Sequence, residues 1–198
     1  MKKLKDKYKW PEENPGFTKN PQGWFRTEEA GRILGKYLNE ETKIVVELGS
    51  WLGKSTRHIL DAAPNALVIA VDHWKGSKEH NKRMKSKRLE KLYGTFLTNC
   101  WEYRDRLIPL RADTQIGLDE IAKNKMAPDL IYVDAAHDYA SVVADIKKSI
   151  TLFPDAQIVG DDWDWAKGKP VRRAATDCAK LYGFEIGFLG NTWEYIKL

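Results

Sequence analysis

Three short runs in the 198-residue chain carry side chains whose types and spacing can do chemistry. The first is Glu47-Leu48-Gly49-Ser50-Trp51-Leu52-Gly53-Lys54-Ser55-Thr56, an acid that closes an apolar stretch and is followed by two spaced glycines. Glycines in such a turn let backbone amides approach a ligand with no Cβ in the way, and a helix starting there aims its positive end at that ligand. A phosphate-cradling loop is excluded, because its first glycine would have to stand at position 48, which is Leu48. The pair Gly49 and Gly53 also fails the Gly-x-Gly-x-x-Gly dinucleotide fingerprint. The second run is Asp129-Leu130-Ile131-Tyr132-Val133-Asp134-Ala135-Ala136-His137-Asp138-Tyr139, and the third is Gly160-Asp161-Asp162-Trp163. If Asp134, Asp161 and Asp162 come together they repel one another unless a cation sits between them. Such a hard, all-oxygen set suits Mg²⁺, with Mn²⁺ or Ca²⁺ as substitutes.

For these runs to meet, strands must deliver them to one edge of a sheet. Apolar stretches at 43–48, 66–72, 107–112, 130–134 and 157–161 do not alternate in polarity, as strands covered on both faces must not. Helical stretches lie between them, including 55–63 and 139–152, the latter with Val142, Val143, Ile146 and Ile150 on one stripe and Asp145, Lys147 and Lys148 facing elsewhere. Strands alternating with helices imply right-handed crossovers and a parallel sheet. Two further strands, 184–189 and 192–197, are separated by Gly190 and Asn191 alone, which can join only antiparallel neighbours. The expected fold is α/β: a Rossmann-like, doubly wound, mostly parallel seven-stranded sheet ending in an antiparallel hairpin. In it Asp72 closes the second strand, where an acid can accept ribose hydroxyls, and Asp113 and Thr114 follow the third.

The acid-x-Gly-x-x-x-Gly turn at Glu47, the acid Asp72, the Asp134-x-x-His137-x-Tyr139 run and the later Gly160-Asp161-Asp162 together resemble the class I S-adenosylmethionine-dependent methyltransferases. Within that class the chain is similar to the methyltransferase-24 type family and to the Mg²⁺-dependent sugar and macrolide O-methyltransferases. The resemblance implies that Glu47, Gly49, Ser50, Trp51, Gly53, Ser55, Asp72, His73, Asp113, Thr114 and Asp134 line the cofactor, and that Asp134, Asp161 and Asp162 bind the metal. It also makes His137 the candidate base, although Ala135 and Ala136 replace the family's usual Asp-Gly-x-His pattern. On this reading residues 41–198 form the methyltransferase domain with a basic insertion at 75–95, and 1–40 form an N-terminal strap or helix that can serve as a lid.

Methyl transfer from a sulfonium is an in-line displacement, so positioning is most of the work. The acceptor is expected to be a hydroxyl of a small molecule or glycan, with Trp163 and Trp165 beside it because they follow the acidic pair. Two other readings stay open. Segment 75–91 carries eight Lys or Arg against two Glu, a local net charge of +6 beside +5 for the whole chain, and it can grip nucleic-acid phosphates. A non-catalytic binding module on the same fold is the other. The 42% hydrophobic and 31% charged composition predicts one globular domain. The longest unbroken apolar run, 66–71, is far below the roughly 20 residues of a membrane span. The basic N-terminus has no apolar stretch behind it, so a cytoplasmic protein without a membrane partner is expected. Cys100 and Cys178 are expected as buried thiols.

Overall fold

The computed structural model describes residues 2–21, 23–76 and 89–197. The basic cluster from Lys78 to Arg88 lies outside the described residues. The strands are β1 (Ile44–Leu48), β2 (Leu67–Asp72), β3 (Leu107–Arg111), β4 (Leu130–Val133), β5 (Gln157–Gly160), β6 (Phe184–Leu189) and β7 (Thr192–Lys197). The described helices are α1 (Lys2–Lys7), α2 (Thr27–Leu34), α3 (Lys54–Ala62), α4 (Leu92–Asn99), α5 (Thr114–Lys123), α6 (Tyr139–Leu152) and α7 (Pro170–Tyr182), with a 3-10 turn at Trp101–Arg106.

The seven strands form one sheet in the order β3-β2-β1-β4-β5-β7-β6. The first five run parallel, and β7 lies antiparallel between β5 and β6. This is the expected α/β arrangement. Successive strand residues feed opposite faces: Val46, Leu48, Ile69, Val71 and Ile131 pack into one core and Val45, Val68, Ala70, Leu130 and Tyr132 into the other. That double burial is why the strands read as continuous apolar runs.

The winding direction reverses between β1 and β4, since β2 and β3 lie to one side of β1 and β4 and β5 to the other. Such a switch point opens a crevice beyond the carboxyl ends of the strands. The N-terminal segment wraps the β3 edge of the sheet. Leu4 is buried in the first core and Lys7 pairs with Glu120 on α5, whereas the Trp10 indole donates to the Leu107 carbonyl of β3. The strap then crosses to the other face. There Asn99 of α4 bonds the backbone of Asn20 in both directions and also donates to the Leu52 carbonyl, tying the strap to the glycine turn. No helix among the described residues is long and apolar enough to cross a membrane. Cys100 and Cys178 are free and buried.

Candidate active site

Beyond β1 the chain turns at Gly49, whose φ is +90°. A Cβ there would stand 2.1 Å from the Asp134 carbonyl oxygen, so both the backbone conformation and the approach of the β4 loop demand glycine. Gly53, at φ +79°, begins α3 against Cys100 and Phe96. Asp72, ending β2, holds the loop between them. Its Oδ2 accepts from the backbone N–H groups of Ser50 and Trp51 at 3.1 and 2.9 Å, and its Oδ1 from that of Trp74 at 2.6 Å. Three of the carboxylate's roughly four lone-pair positions are therefore spent on backbone. Asp72 thus clamps the glycine loop, with capacity on Oδ1 to spare for the ribose hydroxyls expected there. Burial raises its pKa and those backbone donors pull it back. His73 beside it is half-exposed, its Nδ1 accepting from the Lys75 N–H.

Glu47 is completely buried. The Thr56 hydroxyl donates to its Oε2, while Oε1 has no partner, and neither has the buried Ser50 hydroxyl in the adjacent turn. Burial pushes the Glu47 pKa up, with the nearby hydroxyls of Ser55, Thr56 and Ser50 opposing it. At the end of β3, Asp113 caps α5 by accepting from the Gln115 N–H. Thr114 points its hydroxyl to Asp145 of α6 at 2.6 Å, and Gln115 adds its side-chain amide to the same oxygen at 2.7 Å. The sequence stripe placed Asp145 facing elsewhere; it is buried, with its pKa pushed up by burial to about 6. Its spacing from Val142 and Ser149, three before and four after, was the available signal.

At the ends of β4 and β5 the acids divide. Asp134, His137 and Asp162 each offer one ligand atom, and these atoms all lie within 4.8 Å of one another. His137 Nε2 stands 2.7 Å from Asp162 Oδ2, and its buried Nδ1 has no partner. Burial raises the Asp134 pKa well above the usual carboxylate range, helped by the negative charges of Asp161, Asp162, Glu47 and Asp72. Asp162 sits at φ +62°, a left-handed conformation that aspartate tolerates better than most residues. Asp161 is outside this group. It is buried and accepts from the Tyr132 and Thr192 hydroxyls at 3.1 and 3.3 Å, while its carbonyl accepts from the Trp193 indole. The ligand atoms that cluster are therefore two carboxylates and an imidazole rather than the three carboxylates expected from the sequence, while Asp161, held by hydroxyls of β4 and β7, still lies close enough for its charge to raise the Asp134 pKa.

The tryptophans divide in the same way. Trp165 lies against the His137 ring at 4.4 Å. Trp163 turns the other way, buried and stacked on Phe188 of β6, which corrects its assignment to the acceptor. Trp24 of the strap lies 5.8 Å from Trp51 of the glycine turn.

Comparison with known proteins accords with this geometry. A family model described as a methyltransferase domain, of the methyltransferase-24 type, matches residues 46–163. No curated protein matches the chain by sequence. Among solved structures the chain is similar to an O-methyltransferase from Bacillus cereus in complex with SAH, at 17% identity and a TM-score of 0.59, over 85% of this chain and 80% of that one. It is also similar to the TDP-rhamnose 3'-O-methyltransferase of calicheamicin biosynthesis, at 12% identity and a TM-score of 0.57, over 85% and 76%. The fibrillarin pre-rRNA processing protein of Methanococcus jannaschii gives 17% identity and a TM-score of 0.54, with 80% of this chain aligned to 66% of that one. With the family match spanning more than half of its length, the chain belongs to the methyltransferase-24 domain family and is a class I S-adenosylmethionine-dependent methyltransferase.

Proposed function

We propose that the protein is an O-methyltransferase whose acceptor is a hydroxyl of a small molecule or glycan, and that Asp134, His137 and Asp162 hold a divalent cation, Mg²⁺ or Mn²⁺, beside that hydroxyl. The observation that carries this reading is the convergence of the three groups at the ends of β4 and β5. An imidazole among carboxylates moves the preference from Ca²⁺ toward Mn²⁺ while still admitting Mg²⁺. Like charges that raise the Asp134 pKa are also the charges a cation relieves.

The cofactor side rests on different atoms. Glu47 Oε1 and Ser50 Oγ are buried polar atoms awaiting a partner beside a turn kept clear of Cβ atoms, which suits the charged amino-acid end of S-adenosylmethionine. The remaining capacity of Asp72 suits the ribose, and Asp113 with Thr114 the base. Gly53, Ser55, Trp51 and His73 complete that wall.

S-adenosylmethionine, when bound, supplies the methyl group on an electrophilic sulfonium. A divalent cation, when bound, supplies positive charge that lowers the pKa of an acceptor hydroxyl. The chain's own residues then orient and exclude water: Asp134 and Asp162 fix the acceptor end and Trp165 covers the imidazole. Similarity to a sugar methyltransferase supports a vicinal diol acceptor, which offers two adjacent oxygens to one cation.

One observation favours a second route. With Nε2–H donating to Asp162, His137 Nδ1 holds a lone pair and can take the acceptor proton with no metal. Methyl-acceptance assays on sugars, phenols and nucleic acid, with and without a chelator, separate the two. Turnover lost to chelator and restored by Mg²⁺ or Mn²⁺ supports the cation; turnover that survives chelation but fails in His137→Ala supports the imidazole base. Methylation of nucleic acid alone, falling steeply with salt, would overturn the small-acceptor reading in favour of the basic segment.

A further inference from the structure

Helix α6 grips the first turn of α5 with two side chains. Asp145, 3% exposed, receives the Thr114 hydroxyl and the Gln115 amide on one oxygen, Oδ1, at 2.6 and 2.7 Å. Almost one turn later Lys148 donates to the Gln115 carbonyl oxygen and to Asp119, both at 2.7 Å. If docking two helices were all that was needed, an apolar side chain would do it without the cost of burying a carboxyl group.

A carboxylate does something an apolar side chain cannot: it sets the direction of its partners' hydrogen bonds. An ionised carboxylate only accepts. Thr114 must therefore give it its single hydroxyl proton, and Gln115 must turn its NH₂ toward it. The lone pairs of Thr114 Oγ1 and the carbonyl Oε1 of Gln115 are left over, next to the Asp113 carboxylate at the same corner. The side-chain donors not accounted for are the second N–H of the Gln115 amide and the third of the Lys148 ammonium, almost one turn further along α6. The corner at the end of β3 is weighted toward acceptors.

We propose that Asp145 is a positioning residue that determines base specificity: through Thr114 and Gln115 it sets this corner to accept the exocyclic amino group of adenine and to disfavour a base with a carbonyl there. The inference rests on the reading above that the adenosine end of the cofactor lies at the end of β3. Burial places the Asp145 pKa at about 6, so the carboxylate is ionised at neutral pH and the directions just given hold there.

The test is calorimetry on the full chain at neutral pH with S-adenosylhomocysteine and with its deaminated analogue, in which a carbonyl replaces the 6-amino group. The wild type is expected to prefer the amino form by about tenfold, the scale of one hydrogen bond gained and one unpaired group avoided. Asp145→Ala is expected to cut that preference to about threefold or less. Asp145→Asn keeps an accepting oxygen at the same place and is expected to restore the wild-type ratio. Thr114→Val removes one oriented acceptor without touching the buried group; it is expected to narrow the ratio partly, and it decides the matter should Asp145→Ala fail to fold. An unchanged ratio in Thr114→Val and Asp145→Ala, or equal weakening of both ligands, means that Asp145 only packs two helices and overturns this inference alone. A wild type that binds neither nucleoside overturns the inference together with the cofactor reading beneath it.

Discussion

The two sides of the switch point handle negative charge in opposite ways. On the β1–β2 side, Asp72 spends three lone pairs on backbone N–H groups and becomes part of the scaffold. On the β4–β5 side, Asp134 and Asp162 have an imidazole beside them and an Asp134 pKa raised by burial and neighbouring charge. Asp161, one residue away, shows that this contrast is made by partners rather than by position, since Tyr132 and Thr192 draw it into the scaffold class. An acid at the end of a strand is therefore available to a ligand only to the extent that the fold leaves its lone pairs unspent.

Four changes break or sharpen that contrast. The largest effect is expected at the seam between the two sides: Gly49→Ala puts a methyl group against the Asp134 carbonyl at a positive φ and should cost about 3 kcal/mol, seen as a lowered denaturant midpoint together with lost cofactor binding. Asp162→Asn is expected to reduce turnover about 100-fold while sparing cofactor affinity, measured as kcat and as Kd by calorimetry. Loss of cofactor affinity instead would make the acid part of the scaffold.

The third change uses pH. The Asp145 pKa is raised from 3.8 to about 6 in the folded chain, so its stabilising proton is fully present below the unfolded value and lost as pH climbs through about 6. Two pKa units correspond to about 3 kcal/mol. Asp145→Asn, which does not titrate, is expected to gain up to that much on the wild type between pH 4 and pH 7.5 and to match it near pH 4, read from melting curves at both pH values. The smallest effect is expected for Asp161→Asn: about 1 kcal/mol of stability, because a hydroxyl can reverse its hydrogen bond, with metal binding intact by calorimetry. Metal binding abolished by that change would restore the all-oxygen trio.

Much of the fold was legible in the chain. The hairpin strands 184–189 and 192–197 and the helix 139–152 coincide with the observed elements, because a two-residue connection and a strong apolar stripe leave few alternatives. The other strands end within a residue or two of their expected bounds. The site was legible in position but not in division of labour. Asp134 and Asp162 meet as expected, whereas the oxygens of Asp161 beside them are taken by hydroxyls, Trp163 parts from Trp165, and Asp145 turns inward. Each departure involves a partner remote in sequence: Thr192 on β7, Phe188 on β6, and Thr114 with Gln115 on α5.

What the sequence determined by itself was the order of strands and helices and the residue types gathered at the strand ends, since periodicity, glycine spacing and turn length are local properties. Which carboxyl groups are neutralised by the protein and which await a ligand was decided only by the tertiary structure. The physical reason is that a buried charge is defined by the donors packed against it, and at Asp72, Asp145 and Asp161 those donors, the Trp74 N–H apart, arrive from segments 21 to 31 positions away.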